Sequence, residues 1–162
     1  MRVALYARVS TTDQEPETQL RDLRRYAEAR GCSVVGEYVD LAVSGAKVRR
    51  PGSDEVLHLA RTRRIDGLLV AAFDRWGRSL SHLVRSLEEF QALGVAFISL
   101  RESMDLTTPS GRLMFGIIAA MAEFERELIR ERVKAGMRRA KAQGIHCGRP
   151  RKKGLAGGEA RP

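Results

Sequence analysis

Four short apolar segments, separated by stretches with helical spacing, organise the first hundred residues of this chain. The apolar segments are 2–7, 32–39, 65–73 and 95–100. The helical patterns between them cover 16–30, 54–63 with Ser53 as its cap, and 81–93, which stops at Gly94. Strands that alternate with helices predict an α/β fold around a mainly parallel sheet.

A different pattern begins at Thr108-Pro109, a cap followed by a proline that suits the first turn of a helix. Only glycines, at positions 111, 116 and 136, interrupt the pattern before Gly144. Roughly 35 residues at 1.5 Å each give a helix of about 52 Å, whereas a globule of this size has a radius of gyration of about 15 Å. We therefore expect the helix to overhang its domain and to bind a second subunit through an apolar stripe, namely Leu113, Ile117, Met121, Phe124 and Leu128.

The net charge of +9 is carried by the end of the chain. Residues 132–162 contain ten lysines and arginines and one acid, whereas residues 1–131 contain equal numbers of each sign. A basic extension indicates contact with a nucleic acid, although a solubilising tail has the same composition. The expected DNA contacts are Arg132, Arg138, Arg139, Lys141, Arg149, Arg151, Lys152 and Lys153.

These patterns predict three parts: an α/β body at 1–107, the long helix at 108–144 and a basic arm at 145–162 without fixed structure in the absence of DNA. Nine residues follow GRPRKK at 148–153, too few for a helix-turn-helix domain. No apolar run approaches the roughly 18 residues of a membrane helix, and the start has no secretory signal. We expect a cytoplasmic protein, associated with the bacterial nucleoid and not with membranes.

Polar residues follow the first three apolar segments, and the carboxyl ends of parallel strands share one edge of a sheet. In chain order they are Arg8, Ser10, Gln14, Asp40, Ser44, Arg49, Arg50, Asp74, Arg75 and Arg78. One serine among several arginines and few acids suits an anion, because guanidinium geometry matches phosphate oxygens.

Taken singly, these residues also have ordinary interpretations. Ser10 could be a helix N-cap, Arg50 a solvated loop charge, and Asp74 with Arg78 a helical i,i+4 pair. As a set they fit other phosphate or metal sites less well. A phosphorelay receiver needs acids after the first strand, a flavin site rarely needs so many arginines, and a metal nuclease clusters its carboxylates. Phosphoryl transfer, with a serine nucleophile and electrostatic support from arginines, is the remaining interpretation.

Several spaced motifs resemble the serine recombinase family of resolvases and invertases. They are YARVS at 6–10 with Gln14 and Gln19, D-x-x-x-SG at 40–45, RPG at 50–52, DRWGRS at 74–79 and AEFERELIRERVKAG at 122–136. The resemblance covers about residues 1–150 in one unbroken order. Chance does not readily place so many spaced motifs in sequence.

The resemblance implies a resolvase-like catalytic domain that cleaves and rejoins DNA through a 5′-phosphoserine at Ser10, without metal, ATP or another cofactor. It assigns phosphate binding to Arg8, Arg50, Arg75 and Arg78, orientation of those arginines to Asp74 and Gln19, and the lining of the site to Asp40 and Ser44. The implied partners are double-stranded DNA and a second copy of the chain, with a tetramer in the synaptic complex. Resolvase, invertase and transposase roles stay open, as does a catalytically silent or regulatory DNA-binding relative.

Overall fold

The computed structural model of the chain describes residues 1–10, 16–42 and 50–145, with the backbone alone at Ser10 and Ala42. Its strands in these ranges are β1 (Arg2–Ser10), β2 (Ser33–Ala42), β3 (Gly67–Val70), β4 (Ala96–Ser99) and β5 (Met104–Asp105). Its helices there are α1 (Pro16–Ala29), α2 (Pro51–Arg61), α3 (Phe73–Trp76), α4 (Leu80–Leu93) and α5 (Pro109–Ala142).

One sheet carries the strands in the order β2-β1-β3-β4-β5. β1 pairs in parallel with β2 and β3, β3 pairs in parallel with β4, and β5 is antiparallel to β4. The α/β fold with a mainly parallel sheet and a long C-terminal helix is therefore confirmed.

Two hydrophobic cores lie on the two faces of the sheet, and β1 contributes to both. Ala4 and Tyr6 pack on one side, with residues of α2 and α4 and with Trp76. Val3 and Leu5 pack on the other side, against α1. Because both faces are covered, every β1 residue from Val3 to Ala7 is inaccessible to solvent.

β1 and β2 extend beyond the apolar segments that predicted them. The ladder continues until Ser10 pairs with Ala42, with Arg8 opposite Asp40. Pairing satisfies backbone hydrogen bonds whatever the side chain, so polar residues can continue a strand. β3, in contrast, ends at Val70, and the short α3 includes Phe73, which we had expected in the strand.

Two helix starts show how tertiary contacts and local sequence compete. The prediction that Ser53 caps α2 is wrong, because the helix begins at Pro51 and the Ser53 amide donates to a carboxylate on β2. A proline in the first turn suits that earlier start. α4 follows local rules: the Ser79 hydroxyl accepts from the His82 amide, and Gly94 ends the helix with a φ of 71°.

α5 begins where the Thr108-Pro109 pattern predicted, and the Thr108 hydroxyl accepts from the Gly111 amide at 3.0 Å. The chain forms two compact units, Met1–Glu123 and Phe124–Pro162, so that the division between them falls within this helix. The three-part division remains a prediction, and residues 146–162 of the basic arm lie outside the described residues. Among the described helices, none is both long and apolar enough to cross a bilayer.

Candidate active site

The end of β1 is joined to α1 and α3 at Arg8. Nη2 of Arg8 donates to the main-chain oxygen of Asp74 at 2.6 Å. The main-chain oxygen of Arg8 accepts from Nη1 of Arg75 and from Nε2 of Gln19, each at 3.2 Å. β1, α1 and α3 therefore meet at Arg8, two residues before Ser10. The structure brings together Arg8, Gln19, Asp74 and Arg75, which the sequence analysis had selected.

Asp74 holds the Arg75 side chain through two hydrogen bonds. Its Oδ2 accepts from Nη2 at 2.8 Å and its Oδ1 accepts from Nε at 3.3 Å, while Arg101 lies 3.8 Å from Oδ1. Burial raises the pKa of Asp74, but the hydrogen bond and charge of Arg75, with Arg101 and Arg8, outweigh it and lower the pKa. The i,i+4 pairing with Arg78 is wrong as an interpretation, because α3 ends at Trp76 and the carboxylate turns to Arg75.

Asp40 is a buried carboxylate with three hydrogen-bond donors. The Tyr6 hydroxyl donates to Oδ2 at 2.9 Å, and the amides of Gly52 and Ser53 donate to Oδ1 and Oδ2 at 2.9 and 3.0 Å. Burial and then the charge of Asp40 raise the pKa of Tyr6. Asp40 thus ties β1 and β2 to the first turn of α2, immediately after Arg50.

Arg50 is 7% exposed, so its interpretation as a solvated loop charge is wrong. Its Nη1 donates to the main-chain oxygen of Trp76 at 2.8 Å. Burial lowers the pKa of Arg50, and the charges of Arg8 and Arg78 lower it further, against the opposing effects of Tyr6 and Asp40. We call Arg8, Arg50, Arg75 and Arg78 the arginine cluster, because the charges of Arg8 and Arg78 act on Arg50 and the Arg75 side chain is bonded to the main chain of Arg8.

Ser10 is the last residue of β1, where its backbone pairs with Ala42. The described part of α1 begins at Pro16, and the interpretation of Ser10 as a helix N-cap stays untested, because residues 11–15 lie outside the described residues. Gln14, Ser44 and Arg49 lie outside the described residues.

Several residues that support this region were not selected from the sequence. Glu102 accepts from the Phe73 amide at 3.2 Å and from the Ser99 hydroxyl, and so joins the start of α3 to the end of β4. Tyr6 stands in the YARVS motif, which was a usable signal. Glu102 had none, because its contacts depend on how β4 and α3 come together.

The predicted DNA contacts fall in two parts of the chain. Arg132, Arg138, Arg139 and Lys141 are exposed on α5. Arg149, Arg151, Lys152 and Lys153 lie outside the described residues.

The chemistry available here is that of a fixed set of guanidinium groups. Main-chain oxygens and Asp74 hold three members of the cluster, through the hydrogen bonds of Arg8, Arg50 and Arg75. Donors that are already oriented can stabilise developing negative charge without reorganising during the reaction. The arrangement suits a phosphate that is attacked at phosphorus. Among the described residues, no group of three or more His, Cys, Asp or Glu side chains is placed to hold a metal ion.

The chain is similar to several known proteins over most of its length. The family model described as "Resolvase, N terminal domain" matches residues 3–146. A DNA-invertase of Escherichia phage P1 is 44% identical over 144 residues, which are 89% of this chain and 73% of that protein. The Transposon Tn917 resolvase of Enterococcus faecalis is 37% identical over 147 residues, which are 91% of this chain and 75% of that protein.

Solved structures agree with this similarity. A resolvase family site-specific recombinase from Streptococcus pneumoniae has a TM-score of 0.76 and 28% identity, covering 88% of this chain and 99% of that one. The N-terminal catalytic domain of TP901-1 integrase has a TM-score of 0.71 and 37% identity, covering 79% and 98%. The family match, the relatives and the shared fold together show that this chain belongs to the resolvase family of serine recombinases.

Proposed function

We propose that Ser10 is the nucleophile of this serine-type site-specific DNA recombinase. Its oxygen attacks the phosphorus of a DNA phosphodiester and forms a bond to the 5′ phosphate. The bond from phosphorus to the 3′ oxygen breaks, and that oxygen leaves with a proton as a 3′-hydroxyl. Attack by a 3′-hydroxyl on the phosphoserine reverses these steps and rejoins the strand, so the reaction needs no external energy source.

The linkage of Arg8, Asp74 and Arg75 beside Ser10 carries this proposal. It anchors guanidinium groups at the end of the strand whose last residue is the serine. Fixed cations favour the serine alkoxide and offset the charge that develops on the phosphate oxygens. In this role Arg8, Arg50, Arg75 and Arg78 bind the scissile phosphate, Asp74 and Gln19 orient Arg75 and Arg8, and Asp40 and Ser44 support the site.

We assign the DNA duplex to the basic second half of α5 and the arm that follows it. Arg132, Arg138, Arg139 and Lys141 are exposed on one helix, which suits contacts to successive phosphates. Contacts to phosphates position a protein on DNA without reading the base sequence. The second half of α5 therefore supplies affinity and orientation.

We assign the partner of α5 to a second copy of the chain. In the first compact unit one face of the helix is turned to the core, where Gly111 and Ala122 are buried and Phe115 and Ile118 pack on apolar residues. At 100° per residue, Leu113, Ile117, Met121 and Phe124 lie on the opposite face. Leu113 is 68% exposed and Phe124 64%, whereas Leu128, further along the stripe, is half-buried. A helix that is apolar on two faces is normally covered on both. A dimer, and a tetramer when two DNA sites are paired, would cover the outer face.

Covalent trapping tests the nucleophile. The full chain is incubated with supercoiled plasmid DNA in excess chelator and quenched in detergent, and covalent protein–DNA complexes are separated. We expect an adduct with the wild-type chain and none with Ser10→Ala, while both bind DNA equally. An adduct in the variant would refute the role of Ser10, restoration only by Mg²⁺ would favour metal chemistry, and no adduct with either chain would favour the silent relative.

A further inference from the structure

α3 is a single helical turn that carries two residues of the candidate site, Asp74 and Arg75. The Gly77 amide donates to the main-chain oxygen of Phe73 at 2.8 Å and closes the turn. So short a helix has little stability of its own, because fixing the first turn costs more conformational entropy than one hydrogen bond offsets. The residue before it, Ala72, has no side chain that could cap the free amides. α3 therefore needs contacts from elsewhere in the fold to keep its shape.

Glu102 supplies the cap that the sequence around α3 lacks. Its Oε2 accepts from the Phe73 amide at 3.2 Å, across 29 positions of the chain. The same oxygen accepts from the hydroxyl of Ser99, the last residue of β4, which is 1% exposed. A carboxylate at the start of a helix also interacts favourably with the free amides there. One side chain thus bonds the start of α3 to the end of β4.

The segment that carries Glu102 is itself fixed beside α3. The amides of Leu100 and Arg101 donate to the main-chain oxygens of Val70 and Ala71 at 3.1 and 3.0 Å. The pairing of β4 with β3 therefore continues to the residue before Glu102 and, on the neighbouring segment, almost to the start of α3. The carboxylate reaches the helix from a backbone that is already held in place.

We propose that Glu102 is a positioning residue for DNA cleavage, which holds α3 so that Arg75 keeps its place in the arginine cluster. The proposal rests on the proposed function, since it takes the arginine cluster as the phosphate site. Glu102 fixes the amide of Phe73, and the next residue, Asp74, holds the Arg75 side chain through two hydrogen bonds. Arg75 in turn donates to the main chain of Arg8. Glu102 acts here as a hydrogen-bond acceptor, so a neutral amide that accepts the same bond should replace it.

Covalent trapping of the full chain on supercoiled plasmid, at saturating DNA, measures the consequence for the reaction. Glu102→Ala should slow adduct formation by about tenfold, as the loss of one hydrogen bond to a charged group would, while the affinity for DNA stays near the wild-type value. Glu102→Gln should keep the wild-type rate, because its amide oxygen can accept from Phe73. Glu28→Ala, which removes an exposed carboxylate on α1, is the matched control and should leave both quantities unchanged.

Hydrogen exchange at the Gly77 amide reports on α3 without any reaction. This amide should exchange about tenfold faster in Glu102→Ala than in the wild type, because the turn that it closes opens more often. Glu102→Gln should keep the wild-type exchange rate. Ser99→Ala removes only the hydroxyl donor and is the milder variant should Glu102→Ala fail to fold; its exchange and trapping rates should lie between those of the wild type and the alanine variant.

Unchanged exchange at Gly77 in Glu102→Ala would overturn the inference, whatever the trapping shows. A glutamine variant as slow as the alanine variant would also overturn it, and so would equal losses of rate and affinity. A wild-type chain that forms no adduct refutes the proposed function separately, since the exchange measurement still decides whether Glu102 holds α3.

Discussion

Arg8 and Asp74 are linked, through Arg75, by a closed ring of hydrogen bonds. The Arg8 side chain donates to the Asp74 main chain, the Asp74 side chain holds Arg75, and the Arg75 side chain donates to the Arg8 main chain. Each link fixes the next, so no guanidinium in the ring depends on a single exposed ion pair. A single exposed ion pair contributes little to stability. The ring of hydrogen bonds therefore explains how partly exposed guanidinium groups keep their positions.

Asp74→Ala should open this ring and slow adduct formation by about 100-fold, because a small misplacement of a reacting group has that effect. Affinity for DNA should stay the same or rise slightly, since a carboxylate is lost near the phosphate. Trapping kinetics and fluorescence anisotropy measure the two quantities. Arg101→Ala, which removes the outer ion pair at 3.8 Å, is the control and should have a smaller effect. Parallel losses of rate and affinity would contradict an orienting role.

Tyr6→Phe should lower the free energy of unfolding by about 1.5–3 kcal/mol, the usual contribution of a hydrogen bond to a charged group. The change removes one of three donors to the buried carboxylate of Asp40. Urea denaturation measures the effect. Tyr38→Phe, on the neighbouring strand β2, serves as the comparison and should be milder. If the two variants proved equally stable, the Tyr6 hydroxyl would have no special part in holding Asp40.

Gly111→Ala should destabilise the fold by about 1–3 kcal/mol, as overpacking commonly does. A methyl group there would lie 1.9 Å from the main-chain oxygen of Asp105, so the start of α5 would have to shift. Gly116→Ala, in the same helix, meets no atom within 4 Å and should stabilise by about 0.8–1 kcal/mol through helix propensity. Thermal unfolding of both variants checks the opposite signs, and a matching sign would argue against the close approach at Gly111.

Met121→Lys should weaken self-association by about tenfold or more, equivalent to about 1.4 kcal/mol. The charge would enter the outer face of α5, which we assign to the second subunit. Glu123→Lys places a lysine at an exposed position off that stripe and should affect association less. Sedimentation velocity at tens of micromolar, with and without DNA, distinguishes the variants. A wild-type chain that stays monomeric in every condition would exclude the dimer.

Removal of residues 145–162 should make DNA binding less sensitive to salt and leave the body folded. If roughly six basic residues of the full chain contact phosphates, the slope of log K against log salt is about −5. Losing two or three contacts would reduce its magnitude by about 2 or 3. Anisotropy titrations over a salt series measure it, and an unchanged slope would place the contacts elsewhere.

Local signals predicted the helices best. Gly94 and the Thr108-Pro109 pair mark boundaries that depend only on nearby residues, and α4 and α5 begin and end within one or two positions of their predicted bounds. β1 was predicted too short because pairing with β2 carries the strand through polar residues. The sequence also missed α3 and β5, which are too short to show a period.

The candidate site was predictable in its residue types but not in its contacts. Parallel strands bring Arg8 and Asp74 to one edge of the sheet, and this much follows from their positions in the chain. The role of Asp40 as a cap for α2 did not follow, because it depends on the approach of a helix to a strand that is distant in sequence. The same is true of the burial of Arg50.

β1 lies between the two hydrophobic cores and also carries Arg8, so the arrangement of the candidate site depends on the folded state of this strand. Its amides from Val3 to Tyr6 lie between two pairing neighbours, so they should be among the slowest in the chain to exchange with deuterium. Any opening large enough to release them also separates Arg8 from α3 and dismantles the arginine cluster. A molecule that opens at β1 therefore loses the arrangement of arginines that we assign to the scissile phosphate, and we expect it to lose DNA cleavage while its basic residues can still contact DNA.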